Sequence, residues 1–255
     1  MTKIIAIANQ KGGVGKTSLA INTAASLAAH GKRVLLVDID PQSNCTTGVG
    51  VEPDAAGTTE ILLHEGPQGH PHPATLIRET KIENLHLLPS SLKLSRAEIH
   101  LSQRIGGDRT LAKALSQIDG YDFILIDCPP SLGRLTLNGL TAATHVLIPI
   151  QLQKWALDGA QELEETMQLV HDNLNPDLRL LGIVGTFYNP QTVLSRELLE
   201  KIKERYGDNL FETLIKTSTK MGESAAAELP ITHYDPSSDS AESYRSLTLE
   251  ILQRP

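Results

Sequence analysis

The sequence predicts an α/β fold: a doubly wound, predominantly parallel sheet with helices on both faces. Three observations carry this. Short apolar runs rich in β-branched residues recur along the 255 residues, helix-like segments lie between them, and a glycine-rich turn ends the first run. The runs are near-continuous rather than alternating, as expected of strands buried on both faces of a parallel sheet. Strands alternating with helices imply βαβ units with right-handed crossovers.

In chain order, the predicted strands are Ile4–Ala8, Val34–Val37, Leu85–Leu88, Phe123–Ile126, Val146–Ile150, Leu180–Phe187 and Leu210–Ile215. A first helix, Lys16–His30, is rich in Ala and Leu and stops at Gly31, a natural position for the left-handed residue that ends a helix. Asp158 and Gln161 form a capping pair, after which Leu163, Met167, Val170 and Leu174 recur at helical spacing. Leu194–Tyr206 and Ala241–Leu252 are further helices. Gly66–Pro73 (GPQGHPHP) is a loop, since two glycines and three prolines forbid regular structure there, and Asp235–Ser240 is a polar connector. Neither separates segments of distinct composition, and no repeat is found, so residues 1–255 are read as one domain.

Composition sets limits. Hydrophobic residues make up 40%, and no run approaches the roughly 18 apolar residues of a membrane span. The apolar start of MTKIIAIANQKGG is too short for a signal peptide, and two cysteines, Cys45 and Cys128, are too few for a disulfide framework. A reduced cytoplasmic setting is expected. The formal charge of −7 gives nucleic-acid binding no general support, so such binding needs a local basic patch.

The strongest motif is Lys11-Gly12-Gly13-Val14-Gly15-Lys16-Thr17, directly after the first strand and opening the first helix. Glycines allow backbone to approach a triphosphate closely, and the helix N-terminus aims N–H groups and a positive dipole end at its oxygens. Lys11 to Ser18 are therefore the predicted nucleotide-binding residues, with Lys16 on the β and γ phosphates and Thr17 on Mg²⁺. The fold is accordingly of the P-loop NTPase type, with ATP and Mg²⁺ expected. The usual first glycine of the motif falls on Gln10, and Lys11 is an additional cation. Phe123–Ile126 runs into Asp127, an apolar strand ending in one carboxylate, which suits a Mg²⁺ contact through water. Asp38 and Asp40 follow the second strand at the edge where open α/β sheets place ligands. Either could instead cap the next helix, Asp38 more readily than Asp40. Cys128 has no His nearby in sequence to activate it and is read as packing.

KGGVGKT, LLVDIDPQSN, YDFILIDCPPSLGRLTLNGLTAATHVLIPIQ and the C-terminal YRSLTLEIL together resemble the ParA/Soj branch of the ParA/MinD superfamily, and the resemblance runs over nearly the whole chain. It implies an ATPase that closes as a sandwich homodimer around ATP. Lys11 would reach the partner subunit's nucleotide, Gly12 would permit close subunit approach, and Asp40 would orient the attacking water. Asp127 and the Cys128-Pro129-Pro130-Ser131 that follows match the second switch. The resemblance also implies non-specific binding to double-stranded DNA, stimulation by a ParB-like cargo partner, and a cytoplasmic protein on the nucleoid. Two DNA-contacting positions fall on Lys203 and Lys220, near Lys201 and Arg205. A solvated helix face alternating with Glu200 and Glu204 is the other reading. Lys154 and Trp155 depart from the family's acidic and aromatic residues. Asn189, after the strand ending at Phe187, is the candidate for reading the base.

Three other readings compete with this one. A MinD-like membrane-surface ATPase needs a basic amphipathic C-terminal helix, whereas Ser243–Pro255 has the apolar pattern of a helix docked on a core. An iron–sulfur ATPase resembling the nitrogenase iron protein needs cluster cysteines where Cys45 and Cys128 do not fall. A non-hydrolysing scaffold or repressor is disfavoured by Lys16 and Asp40, and by a P-loop starting within the first twelve residues. His70 and His72 lack a third metal ligand and read as a solvated loop.

Overall fold

The computed structural model describes residues 2–54, 56–63, 71–153 and 158–255, with the backbone alone for residues 158–160. His70, Lys154, Trp155, most of the Gly66–Pro73 loop and the Asp158 side of the capping pair lie outside it.

Among the described residues the strands are β1 (Lys3–Ile7), β2 (Val34–Asp38), β3 (Arg78–Glu79), β4 (Leu85–Leu88), β5 (Phe123–Asp127), β6 (His145–Gln151) and β7 (Arg179–Thr186). They form one sheet in the order β3-β4-β2-β5-β1-β6-β7. All pairs are parallel except β3 with β4, a short antiparallel edge that the sequence reading did not foresee. The strand order reverses around β1, and the carboxyl ends of β2, β5 and β1 there form the crevice in which doubly wound sheets bind ligands.

The helices are α1 (Lys16–Ala29), α2 (Asn44–Thr47), α3 (Thr58–Leu63), α4 (Ala97–Ser102), α5 (Thr110–Leu115), α6 (Arg134–Ala142), α7 (Asp158–Asn173), α8 (Val193–Tyr206), α9 (Thr219–Ala226), α10 (Ile231–Tyr234) and α11 (Asp239–Gln253). Side-chain alternation along the strands divides the core. Ile5, Ile7, Val34, Leu36, Phe123 and Leu125 pack towards α1, α10 and α11, whereas Ala6, Leu35, Val37, Ile124 and Ile126 pack towards α3–α8. The same alternation turns Asp38 and Asp127 towards the α1 side, since they follow Leu36 and Leu125 by two residues.

Helix α1 is buried nearly all round, which its Ala-rich sequence permits by letting α11 approach closely. It ends as expected, with Gly31 at φ +74. Buried Asn22 of α1 accepts a hydrogen bond from Ile231 N at 2.7 Å and so caps α10. Helix α11 begins within the predicted connector, because Ser238 Oγ accepts from Ala241 N and starts the helix at Asp239. Its Tyr244, Leu247 and Ile251 are buried in the core.

The predicted strand at Leu210–Ile215 is not one. Phe211 N donates to Ile183 O and Ile215 N to Gly185 O, each at 2.9 Å, so four residues of this segment span two of β7. The amides in the bulge turn away from the ladder: Glu212 N and Thr213 N both donate to the Glu250 carboxylate of α11 at 2.9 Å. A long-range carboxylate has replaced strand pairing. The predicted loop also ends sooner, since Pro73 opens a turn of 3-10 helix in which His72 Nδ1 accepts from Ala74 N.

Candidate functional site

The loop leaving β1 is pinned on both sides. Asn9 Nδ2 donates to Pro149 O of β6 at 2.7 Å while its Oδ1 accepts from Lys11 N at 2.9 Å. Thr186 Oγ1 at the end of β7 donates to Val14 O at 2.8 Å, and Val14 is buried. Gly13 and Gly15 take φ +74 and +89, conformations costly to any residue with a Cβ. Gly12 has no such need: a Cβ there would meet only Pro130 Cβ, at 3.9 Å. Sequence reasoning missed Asn9 and Thr186. Asn9 had a legible signal, since Asn before a glycine-rich turn favours a bond to the amide two residues on.

Helix α1 then starts without a side-chain cap, leaving the amides of its first turn and the positive end of its dipole at the loop. Lys16 is 6% exposed, and its Nζ donates to Lys11 O at 2.9 Å. Burial draws its ammonium below the ordinary lysine range, while Asp127 and Asp40 act the other way. Thr17 and Ser18 follow, half-buried at the rim.

Three carboxylates converge here. Asp38 is fully buried and bonded: Oδ1 accepts from Asp40 N at 3.0 Å, and Oδ2 from Thr46 N at 2.9 Å and Thr46 Oγ1 at 2.7 Å. It caps α2, the structural alternative left open for it. Asp40, 8% exposed, accepts from Gln42 N at 2.9 Å. Asp127 is fully buried, and neither of its oxygens makes a close hydrogen bond in the protein, though the Thr17 hydroxyl faces them. Burial, then Asp38, hold its carboxyl well above the usual range; Thr17 and Lys16 offset this only in part. Asp38 is raised to about 7, by burial first and, less, by Asp40. Cys128 and Cys45 are buried, and burial pushes both thiols up, which fits packing rather than nucleophilic chemistry.

The arrangement fits a polyphosphate with a hard cation. An orphaned buried carboxylate, a hydroxyl at the helix start and uncapped amides are the donor set such a ligand uses. Beside the loop, a cavity of about 70 Å³ is lined by Gly15, Phe187, Lys216, Thr217 and Met221 among others. Phe187 takes φ +52, and its ring lies against Gly15. Asn189 does not line this cavity; its Oδ1 accepts from Gln191 N at 3.0 Å in a turn. Phe187 and 215–218 are thus the neighbours of the loop on this side, brought there by long-range pairing of Tyr188 with Lys216. A larger hollow, about 610 Å³, lies elsewhere, between Leu199, Lys203, Phe211 and Arg254.

The two lysines expected to contact DNA, Lys203 and Lys220, lie on different helices, each beside an acid. Lys203 Nζ donates to Glu200 at 3.0 Å and Lys220 Nζ to Glu223 at 2.9 Å. Arg205 pairs with Glu164 at 3.0 Å. Among the described residues no cluster of His, Cys, Asp and Glu forms a dedicated metal cage, and no helix is long and apolar enough to cross a membrane.

A family model described as an AAA domain matches residues 2–180. The sporulation initiation inhibitor protein Soj of Bacillus subtilis is 42% identical over 252 residues, covering 98% of each chain. The chromosome-partitioning ATPase Soj of Treponema pallidum is 42% identical over 255 residues, covering all of this chain and 98% of its own. Among solved structures, a Mycobacterium smegmatis protein described as cobyrinic acid a,c-diamide synthase with bound ADP and magnesium aligns with a TM-score of 0.85 at 37% identity, over 99% of this chain and 95% of its own.

Proposed function

The chain belongs to the Soj/ParA family of partition ATPases, and on that footing we propose that it is an ATP-driven dimeric switch that positions a cargo on DNA. The observation that carries the reading is the buried, unbonded Asp127 carboxylate on the same side of the sheet as Lys16 and Thr17 at the uncapped start of α1.

Residues 1–255 work as one ATPase unit. Gly12 to Ser18 cradle the phosphates with backbone amides. Lys16 leaves the Lys11 carbonyl for a phosphate oxygen, a bond between charged groups in place of one to a neutral acceptor. Thr17 and Asp127 hold Mg²⁺, which supplies charge neutralisation for the phosphates when bound. Asp40 orients the attacking water, and Lys11 reaches the nucleotide of a second copy. The base lies in the cavity against Phe187, two residues before Asn189, and against residues 215–218.

Two copies then present a joint surface to double-stranded DNA through Lys203 and Lys220, with no base reading. A ParB-like cargo partner stimulates hydrolysis, and the protein works on the nucleoid in the cytoplasm. A membrane-surface role is disfavoured by α11, whose apolar face is already packed on α1. A silent scaffold is disfavoured by Asp40 in place beside the loop. Phosphate release from Mg·ATP tests the reading: the parent turns over slowly, and Asp40→Ala binds ATP but releases phosphate at least about tenfold more slowly. Parental turnover by that variant overturns it.

A further inference from the structure

Helix α6 begins six residues after Cys128, directly behind the second switch, yet nothing in its own sequence caps it. Gly133 is its N-cap, extended and without a side chain. The cap comes instead from α4. Glu98 Oε2 accepts from Arg134 N at 2.7 Å and Oε1 from Leu135 N at 3.3 Å. Gly133 is what admits it, since a Cβ there would lie 2.6 Å from Glu98 Oε1 and 2.7 Å from Oε2. Two further clasps hold the same turn. Arg134 Nη1 donates to both oxygens of Asp108, at 2.7 and 2.8 Å. Buried Asn138 donates to Gly107 O at 2.9 Å and accepts from Leu111 N at 3.1 Å. Upstream, Cys128 N is tied to Ile7 O of β1, and Thr136 Oγ1 closes back on Ser131 O at 2.6 Å.

The segment between Asp127 and α6 is therefore hung between two anchors, the sheet at one end and the Glu98 carboxylate at the other. We propose that Glu98 is a positioning residue for the ATPase reaction: by fixing where α6 starts, it sets the path of residues 128–133 and so the placement of the second switch beside the nucleotide. A carboxylate on two helix-start amides suits the task, because it is a charge-assisted bond aligned with the helix dipole. The inference rests on the ATPase reading for its kinetic consequence, though not for its structural one.

The test uses the full chain with Glu98→Ala, Glu98→Gln, Gly133→Ala and the double Glu98→Ala/Gly133→Ala variant. In hydrogen exchange, amides of 128–137 should lose protection by about tenfold in Glu98→Ala and in Gly133→Ala, the scale of one lost helix cap, while 10–19 stay as in the parent. Glu98→Gln, which keeps one acceptor, should fall between. The double variant should be no worse than either single one, since each change removes the same contact. In phosphate release, kcat should fall while KM for ATP stays within about twofold, the mark of a lost transition-state arrangement rather than lost binding. Unchanged protection of 128–137 in Glu98→Ala, or additive losses in the double variant, would overturn the proposal. Should the parent hydrolyse no ATP, the exchange measurements still decide the role of Glu98, and the failure belongs to the ATPase reading.

Discussion

Asp38 and Asp127 lie side by side on one rung of the sheet, β2 against β5, and both are fully buried. Asp38 receives three close hydrogen bonds, whereas Asp127 has only the Thr17 hydroxyl facing it. Two adjacent buried carboxylates cannot both ionise cheaply, so donors decide which does. Three donors favour the charge on Asp38, and burial with little compensation favours the proton on Asp127. Replacing Asp127 by Asn removes that conflict and should stabilise the ligand-free protein by about 1–3 kcal/mol, several degrees in Tm by calorimetry. The same variant should lose the extra stability that Mg·nucleotide gives the parent. A variant less stable than the parent and still stabilised by Mg·nucleotide would refute the assignment.

The pair also fixes the sign of a pH response. Both carboxyls are raised in the folded state, Asp38 to about 7 and Asp127 well above the usual carboxylate value. The folded chain thus retains protons that the unfolded chain has released above about pH 4. Their contribution to stability is full below that value and is lost as pH rises through the folded values. The ligand-free Tm should therefore fall between about pH 4 and 7 more steeply in the parent than in Asp127→Asn. Binding of Mg·nucleotide should release about one proton, seen as heat that changes with buffer ionisation enthalpy. Parallel Tm curves and buffer-independent heat would count against it.

Much of this was legible in the sequence, and what was not has identifiable causes. Strands such as Leu85–Leu88 and helices such as α1 announce themselves because burial on both faces or a glycine stop writes a local pattern. The P-loop is equally local. The bulge at Leu210–Ile215 was misread as a strand because its apolar residues are buried as predicted, while its geometry is set by Glu250, some forty residues on. Phe187 and Lys216 meet beside Gly15 through sheet-edge pairing that no spacing encodes. The cap of α6 by Glu98 is invisible for the same reason: Glu98 and Arg134 stand 36 residues apart in sequence.

At Gly12, folding and the proposed assembly can be tested separately. A Cβ at this position would touch nothing closer than Pro130, 3.9 Å away, and the glycine is exposed without a positive φ. Nothing among the described residues requires glycine here, which fits the proposed close approach of a second copy. Gly12→Val should leave Tm within about 1 °C of the parent, as an exposed substitution away from packed features does. ATP-dependent pairing, followed by light scattering, should be lost. Lys11→Ala should likewise bind ATP as a monomer and fail to pair. Normal pairing and turnover in both variants would dismantle the sandwich mechanism.

The lysines proposed to meet DNA yield the sharpest electrostatic forecast. Lys220 is held by Glu223, which also accepts from Tyr234 Oη at 3.0 Å, and Lys203 is held by Glu200. Exposed pairs of this kind are screened by solvent and contribute little, so a phosphate can displace the glutamate. On a chain of net charge −7, each glutamate nevertheless competes with the phosphate for its lysine. Lys203→Ala and Lys220→Ala should each weaken ATP-dependent binding to random duplex DNA and lower the salt slope by about 0.9 per lost phosphate contact. Glu223→Gln and Glu200→Gln should tighten it by about twofold to fivefold, an effect that shrinks as salt rises. If the lysine variants bind like the parent and the glutamate variants bind no better, the contact surface lies on some other part of the protein, and these two helices face solvent only.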